Sequence, residues 1–397
     1  MYDDKKWSFR VTQGTKGLQD LLEEWQALTD AWPEPARLEH LHMAEWARAY
    51  AHHLAPSPGR LIWASVRHGG RLVALLPLER TGRRSLRLLT NEHLYLADVV
   101  TAEDVRALWP ALWRWLQHDA GIAWTRLEIG RLRADAWLAE GLRLCPPQRM
   151  FDNAVGGSAD LDVDRSYDAL LKSASANHRS SLGRGQKKAA ALGTLRYESH
   201  ATPQALAEAL PHFMAVEVSG WKGEQGGAIA CRPEWQAFYG ELTQTLGTRG
   251  GQPGPRDHCE IDLLWLDDLP VATIFWLRTG MTLALQKIAY REDLAAVGPG
   301  KLILARALER ACADPALRRI SFITRCPWAD GWRTQVTPVT AHIVYADHLR
   351  GRLAGRVREL ARWAKAALKA WRFGRRPPAT PPADAGPAGP AEPAGPA

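Results

Sequence analysis

The stretch that decides the fold is residues 260–312, EIDLLWLDDLPVATIFWLRTGMTLALQKIAYREDLAAVGPGKLILARALERAC. It contains three apolar runs divided by turn signals, a pattern that predicts three consecutive β-strands: Ile261–Leu266, Pro270–Leu277 and Thr282–Tyr290. Apolar residues at helical spacing follow from Leu302 onward. Gly298 and Gly300 therefore stand where the third strand gives way to the N-terminus of a helix.

The position of these two glycines bears on ligand binding. N–H groups in the first turn of a helix carry partial positive charge, and glycine lets a phosphate approach the backbone closely. A pyrophosphate fits such a site. The alternative is an ordinary turn between two elements, and an isolated G-x-G does not decide between them.

The context of the glycines supports the first interpretation. With a short strand at Arg319–Ile323 after the helix, the segment resembles the acyl-CoA-binding half of a GNAT-fold acyltransferase. In that family a Q/R-x-x-G-x-G/A loop holds the CoA pyrophosphate. Here Ala295 stands at the Q/R position, Gly298 and Gly300 match, and Pro299 removes one backbone donor.

A finer resemblance rests on two short motifs. Lys287–Tyr290 and Gly298–Leu302 resemble the K-x-x-Y…S-P-G-x-L signature of the cellulose-biosynthesis (CelD-type) acetyltransferases. That branch and the related FemAB-type peptidyltransferases carry two GNAT-like domains in one chain. Gly298 replaces the usual serine, and Arg291 replaces an aspartate that commonly follows the tyrosine. The resemblance implies an α/β fold of tandem GNAT-like (acyl-CoA N-acyltransferase) domains, with mixed central sheets flanked by helices.

The order of predicted elements also indicates an internal duplication. Residues 61–130 predict a hairpin, a strand, a helix and a strand, which is the order of residues 260–323. The first copy has no glycine between Gly82 and Gly121, so we expect it to lack a phosphate-binding turn. We therefore predict a first GNAT-like domain with a structural or acceptor-binding role over 1–150, a second with the acyl-CoA loop over 151–348, a basic amphipathic helix over 349–376, and a disordered Pro/Ala-rich tail over 377–397.

Composition indicates a globular protein of two domains, because 46% of its 397 residues are hydrophobic and 24% are charged. There is no apolar run of about 18 residues and no apolar signal core near the first residues, so we expect a cytoplasmic protein. The five cysteines lack C-x-x-C spacing, and His52 and His53 have no convergent ligands in the sequence, so no metal site is expected.

The formal net charge of +8 arises largely within residues 350–376, so it does not favour nucleic acid as a partner. Leu353, Val357 and Leu360 begin an apolar stripe there, and arginine and lysine cover the rest of the helix. Such a helix either packs on its own domain or lies on an anionic bilayer, at the periphery of the inner membrane. We favour packing, because arginine stems also cover domain surfaces.

Two segments of the second domain resemble parts of the family. Residues 167–192 predict a helix that is broken near Gly183 and Gly185, and their basic run is either a solvated face or a face towards CoA or a polymer. Glu217–Gly223 resembles an E-x-x-G-W-K-G segment that precedes a loop at the active cleft. The glycine-rich loop Glu224–Ala230 is suited to act as a lid.

Acyl transfer from a CoA thioester needs a donor for the oxyanion, a base for the acceptor and an acid for the leaving thiolate. Tyr290, at the end of the third strand, is the candidate acid. Glu217 and Asp262 are candidates for the base or for an acceptor ligand. An ordinary strand-end tyrosine and purely structural carboxylates are the alternatives.

The resemblance places acetyl-CoA, or another acyl-CoA, as co-substrate at the loop and at the start of the helix. The candidate residues for binding it are Arg291, Val297, Gly298, Gly300, Lys301 and Leu302. Trp221 and Lys222 are candidates for a sugar or peptide acceptor, since an indole ring stacks on the apolar face of a sugar. Lys287 is a candidate for binding the acceptor or a phosphate.

These observations predict an acyltransferase that moves an acetyl or other acyl group from acyl-CoA to an amine or hydroxyl acceptor. By family resemblance, the acceptor is a cell-envelope or exopolysaccharide component or its precursor, as in cellulose biosynthesis. One alternative is a FemAB-type transferase that uses aminoacyl-tRNA to modify a peptidoglycan precursor. Another is a non-enzymatic adaptor at a membrane surface, with a degenerate CoA site.

Overall fold

The computed structural model describes residues 6–32, 39–147, 149–250 and 257–372. The tail that the sequence predicts to be disordered, 377–397, lies outside the described residues. We call residues 6–147 the first half and residues 149–348 the second half.

One mixed β-sheet runs through both halves. Its strands in chain order are β1 (Trp7–Gln13), β2 (Leu61–His68), β3 (Arg71–Gly82), β4 (Ser85–Leu88), β5 (Val100–Thr101), β6 (Arg126–Arg133), β7 (Met150–Asp162), β8 (Leu195–His200), β9 (His258–Leu266), β10 (Leu269–Thr279), β11 (Thr282–Tyr290), β12 (Arg319–Ser321) and β13 (Gln335–Tyr345). Across the sheet the order is β1-β2-β3-β4-β6-β13-β7-β12-β11-β10-β9-β8, and β5 pairs with β3.

Helices flank this sheet. They are α1 (Gly14–Gln19), α2 (Leu22–Asp30), α3 (Ala44–Ala49), α4 (Val105–His118), α5 (Trp137–Leu144), α6 (Tyr167–Ser173), α7 (Ala176–Leu192), α8 (Pro203–Val218), α9 (Trp221–Glu224), α10 (Pro233–Gly250), α11 (Pro299–Ala313) and α12 (Leu349–Arg372). Short 3-10 or π-helical turns occur at His40–His42, Tyr50–Leu54, Pro58–Arg60, Ile229–Cys231, Glu292–Leu294 and Pro327–Trp332. Within the described residues, no helix has the length and apolar character needed to span a bilayer.

The two halves share one pattern of strand pairing. In the first half, β2, β3 and β4 pair antiparallel in succession, and β6 pairs parallel with β4. In the second half, β9, β10 and β11 pair antiparallel in succession, and β12 pairs parallel with β11. A helix connects the parallel strands in each case, α4 in the first half and α11 in the second.

The strands β7 and β13 join the two halves at the centre of the sheet. β13 pairs with β6 of the first half and with β7, and β7 pairs in turn with β12. The last strand of the chain is therefore adjacent to the first half, and hydrogen bonds continue across the whole sheet.

Side chains of β9 and β10 alternate between two cores, as the two-residue period of a strand requires. Ile261 and Phe275 belong to the larger core, which unites the first half with α8 and α10. Leu264 and Trp276 belong to the other core, which includes α11. The sheet thereby fixes α8 on one face and α11 on the other.

The structure confirms the three strands of the opening stretch as β9, β10 and β11, but the helix break predicted near Gly183 and Gly185 was wrong. α7 runs unbroken through Gly183 and Gly185. A Cβ atom on Gly185 would lie 2.6 Å from the carbonyl oxygen of Val297, so this glycine allows α7 to pack closely on the loop before α11.

Candidate active site

A cavity opens beside the end of β11. β11 and β12 pair only through Thr282–Ala284 and Arg319–Ser321, and β11 then continues to Tyr290. The adjoining cavity has a volume of about 300 Å³. Its lining residues are His178, Glu217, Gly220, Ile288, Ala289, Tyr290, Glu292, Ala295, Gly298, Gly300, Lys301, Leu304, Trp328 and Trp332.

The helix α11 begins at the wall of this cavity without a side-chain cap. Its N-cap residue, Gly298, has φ of 74° and ψ of 49°, in the left-handed region that glycine enters without strain. A Cβ atom on Gly300 would lie 3.1 Å from the Tyr290 ring, so the backbone of the first turn packs closely on that tyrosine. Because glycine has no side chain to act as a cap, no carboxylate cap neutralises the partial positive charge at the start of α11.

Cationic side chains border the same helix start. Lys301 donates from Nζ to Ser181 Oγ at 3.0 Å, and Lys188 donates from Nζ to the Ala296 carbonyl at 3.1 Å. The basic run of α7 thus lies along the loop that leads into α11. An anion at this helix start would meet both the helix dipole and these ammonium groups.

A β-bulge shapes the second half of β11. Lys287 pairs with Phe275 and Leu285 pairs with Trp276, so Gln286 is the extra residue. Gln286 donates from Nε2 to the His93 carbonyl at 2.5 Å, and this contact joins the bulge to the first half. The bulge places Lys287 next to α8 and α10 instead of along a regular strand.

Two predicted site residues, Glu217 and Lys287, form an ion pair. Lys287 Nζ lies 3.5 Å from Glu217 Oε1, and Glu217 Oε2 accepts a hydrogen bond from the Ile229 N–H at 2.8 Å. Lys287 Nζ also lies 5.7 Å and 5.8 Å from the ring centres of Trp235 and Tyr239. The loop that the sequence predicts as a lid is therefore tied at Ile229 to the buried carboxylate of α8.

His178 is a cavity residue that the sequence did not single out. It is 8% exposed, and its Nε2 atom is buried without a hydrogen-bond partner among the described residues. Burial lowers the pKa of His178, and the nearby charge of Lys301 lowers it further. Its ring lies 4.7 Å from that of Trp332. The signal in the sequence was weak, because one histidine within a basic run reveals nothing about the direction it faces.

Other candidates do not line the cavity. Asp262 is fully buried on β9, where it accepts a hydrogen bond from Trp276 Nε1 at 2.6 Å and lies 3.5 Å from the Arg310 guanidinium. Burial raises its pKa. Arg291 pairs with Asp293 at 2.7 Å on the surface.

The remaining candidates are two residues of the acyl-CoA loop region and two residues proposed for the acceptor. Val297 and Leu302 are buried next to the cavity wall. Trp221 and Lys222 begin α9, but their side chains lie outside the described part of the chain. The structure thus brings together Tyr290, Glu217, Gly298, Gly300 and Lys301 at one cavity, with Lys287 paired to Glu217.

A separate polar cluster links the halves. Glu241 Oε2 lies 3.0 Å from His52 Nδ1 and 2.8 Å from His53 Nε2, and Arg48 Nε lies 3.0 Å from the other carboxylate oxygen. The potential ligand atoms of His52, His53 and Glu241 all lie within 4.8 Å of one another. Arg48 already supplies a positive charge to the carboxylate, so hydrogen bonding accounts for the arrangement. The expected absence of a metal site stays a prediction.

Comparison with known proteins gives one family model and several solved structures that resemble the chain. Residues 176–329 match a family model described as an acetyltransferase (GNAT) domain. The chain is similar to the solved C-terminal domain of a putative lysylphosphatidylglycerol synthetase from Agrobacterium fabrum, with 11% identity, a TM-score of 0.51, and coverage of 86% of this chain and 96% of that one. It is also similar to FemX, with 12% identity, a TM-score of 0.52, and coverage of 81% and 95%.

A third similar structure is L-PGS from Bacillus licheniformis, with 12% identity, a TM-score of 0.50, and coverage of 84% of this chain and 96% of that one. No curated protein sequence matches the chain. At these identities the likeness to solved structures concerns the fold. The chain has a mixed α/β fold of the GNAT acyltransferase type, as the sequence predicts, whereas the finer resemblance to CelD-type enzymes stays a prediction.

Proposed function

We propose that the protein is an acyltransferase that moves an acetyl or other acyl group from acyl-CoA to an amine or hydroxyl acceptor. The observation that carries the proposal is the uncapped start of α11 at the wall of the cavity, bordered by Lys301 and Lys188. A pyrophosphate carries the negative charge that such a helix start lacks, and the left-handed Gly298 leaves the backbone open to it.

The residues that we assign to acyl-CoA are those of the loop and first turn. Gly298 and Gly300 allow close approach of a phosphate, and Lys301 adds charge. Val297 and Leu302 hold the loop against the core. Arg291 has a smaller role in this proposal than in the sequence-based one, because its guanidinium is already paired with Asp293.

In acyl transfer, the acceptor nitrogen or oxygen attacks the thioester carbonyl and gives up a proton to a base. We assign His178 as the base, because burial keeps its imidazole neutral near pH 7 and its Nε2 is without a partner. Backbone N–H groups at the cavity edge of β11 are the candidates for stabilising the oxyanion. Tyr290 is the candidate that protonates the departing CoA thiolate.

Glu217 takes a positioning role in this mechanism. Its carboxylate is held by Lys287 and by the Ile229 N–H, so it connects the predicted lid to β11. We propose that the acceptor enters beside this pair and that Trp221, Lys222 and Lys287 contribute to binding it. Asp262 has no catalytic role in the proposal, because its contacts are with Trp276 and Arg310 in the core.

The acceptor that we propose is a cell-envelope or exopolysaccharide component or its precursor. The support is the CelD-type signature at Lys287–Tyr290 and Gly298–Leu302, together with the shared fold of FemX and the putative lysylphosphatidylglycerol synthetase domain. We also propose that the protein works on the cytoplasmic side of the inner membrane, with residues 350–376 as the part nearest the membrane.

Calorimetric titration with acetyl-CoA, run beside titration with bulk tRNA, tests the proposal. We expect micromolar binding of acetyl-CoA and no tRNA binding at physiological salt. If only tRNA binds, with an affinity that falls steeply as salt rises, the aminoacyl-tRNA alternative replaces this proposal. If neither ligand binds, acyl transfer from CoA is excluded for this cavity, and the adaptor alternative stands.

A further inference from the structure

The helix α12 is attached to the sheet by its polar side. A Cβ atom on Gly351 would lie 2.1 Å from the Ala346 carbonyl oxygen, and one on Gly355 would lie 2.7 Å from Arg149 Cδ. Arg149 also pairs with Glu359 at 2.8 Å. The two glycines therefore mark the face of α12 that lies against the end of β13 and the segment before β7.

Arginine stems extend this attachment, as the sequence-based preference for packing implies. The guanidinium carbons of Arg358 and Arg362 lie 5.7 Å and 5.4 Å from the ring centre of Phe151. An amphipathic helix normally buries its apolar stripe against its own domain. In α12, glycine and arginine occupy the docked face instead.

The apolar stripe of α12 is consequently exposed. The large apolar side chains with high exposure on this helix are Leu349 at 77%, Leu353 at 61%, Val357 at 63%, Leu360 at 57% and Leu368 at 54%. At 3.6 residues per turn these positions fall within about 100° of the helix circumference. They form a continuous apolar strip along about 28 Å of helix, at a rise of 1.5 Å per residue.

Charge decides which partner fits this strip. Residues 349–372 carry eight arginines and lysines against the single Glu359, so the helix has a net charge of +7. A second copy of the chain that covered the strip would bring another +7 against it. An anionic lipid surface instead accepts the apolar side chains and attracts the flanking cations.

We infer that α12 binds the surface of an anionic lipid bilayer, with the stripe Leu349–Leu368 inserted among the acyl chains and its axis parallel to the membrane plane. Arg350 and Arg356, which are exposed beside the stripe, reach the lipid phosphates. The binding requires no acyl-CoA, so it is independent of the chemistry of the cavity.

Flotation of the full-length protein with vesicles tests this inference. We expect binding to phosphatidylcholine vesicles that contain about 30 mol% phosphatidylglycerol to be at least about tenfold stronger than to pure phosphatidylcholine. The pair Leu353→Ser and Val357→Ser should weaken binding about tenfold, because two apolar side chains no longer insert. These residues are exposed, so folding should be unchanged by circular dichroism. Leu192→Ser, which removes a leucine that is 56% exposed on α7, is the matched control and should bind as the wild type does.

A second pair of variants tests the electrostatic part. Arg350→Gln with Arg356→Gln should weaken binding several-fold at about 0.05 M salt and have little effect at about 0.5 M, where screening is strong. A His178→Ala variant should bind vesicles normally.

Failure of all proteins to bind anionic vesicles overturns the inference. So does a wild-type dimer in light scattering that the Leu353→Ser and Val357→Ser pair dissociates, because a second copy then covers the strip.

Discussion

The starts of helices α4 and α11 occupy equivalent places in the two halves, but only the start of α4 has a side-chain cap. Each helix connects two parallel strands that follow an antiparallel series. In the first half, the Asp104 carboxylate accepts from the Arg106 N–H at 2.9 Å and caps α4. In the second half, Gly298 leaves α11 without a side-chain cap. The same architecture therefore caps its own helix start in the first half and leaves the helix start uncapped beside a cavity in the second.

Strand length adds to the contrast. β4 ends at Leu88, directly after its pairing with β6 over Ser85–Arg87. β11 extends from Ala284, the end of its pairing with β12, to Tyr290. The second half therefore has a strand edge that can border a cavity beside the helix start, whereas the corresponding strand of the first half is too short to form one.

The largest effect that we expect comes from His178→Ala, which should lower kcat about 10²- to 10⁴-fold and leave acetyl-CoA affinity unchanged. The wild-type rate should hold as pH falls to about 6.5 and decline only below it, because the pKa of His178 is lowered. Steady-state kinetics across pH measure both effects. His68→Ala, at an exposed histidine of the first half, is the control. A loss below about threefold would remove His178 from the mechanism.

A buried histidine of the first half should affect stability instead of catalysis. Burial lowers the pKa of His40 to about 4, and neither ring nitrogen has a partner among the described residues. Unfolding restores a pKa near 6.5, so the stability is fully present above that pH and is lost as pH falls towards 4. Between pH 7 and about 4.5, urea unfolding should lose about 2–3 kcal/mol through this group. His40→Phe should remove that part of the pH dependence. If the free energy of unfolding of the variant falls with pH as steeply as that of the wild type, His40 is not the group responsible.

The left-handed Gly298 should have a measurable effect on the free energy of unfolding. Gly298→Ala should cost about 1–2 kcal/mol, because a Cβ atom is strained at a φ of 74°. Gly183→Ala is the matched control, since it lies inside α7 with no atom within 4 Å of the added Cβ. That control should stabilise the protein by about 0.5–1 kcal/mol. Equal effects of the two variants in urea unfolding would contradict the assigned backbone conformation.

The smallest expected effect concerns the capped helix. Asp104→Ala removes the α4 cap and should cost about 1 kcal/mol of stability in urea unfolding. Acetyl-CoA affinity should not change, because the first half is not expected to bind it. A change in acetyl-CoA affinity of about tenfold or more would contradict the expectation that the start of α4 has no part in binding acetyl-CoA.

The sequence predicts the local parts of this arrangement well. The strands β9, β10 and β11 follow from apolar runs divided by turn residues, and the start of α11 follows from Gly298 and the spacing of the leucines after it. These features depend on neighbouring residues. The continuity of α7 was missed, because Gly185 serves a close contact with Val297 that no local pattern reveals.

The rest depends on contacts between distant segments. The pairing of β13 with β6 joins residues about two hundred positions apart, and the alternation of a strand does not name its partner. The position of His178 in the cavity and the burial of Asp262 arise in the same way. The sequence left open whether the apolar stripe of α12 packs on its own domain or stays exposed, because the glycine and arginine contacts of the docked face involve distant residues.

The most direct measurement is a calorimetric titration of acetyl-CoA with two matched variants, Gly300→Asp and Arg106→Asp. Both place a carboxylate at the second residue after the N-cap, one in α11 and one in α4. We expect micromolar binding for the wild type and for Arg106→Asp, and a loss of about a hundredfold, or about 2.7 kcal/mol, for Gly300→Asp. Equal affinity in the two variants would contradict the assignment of the CoA pyrophosphate to the start of α11.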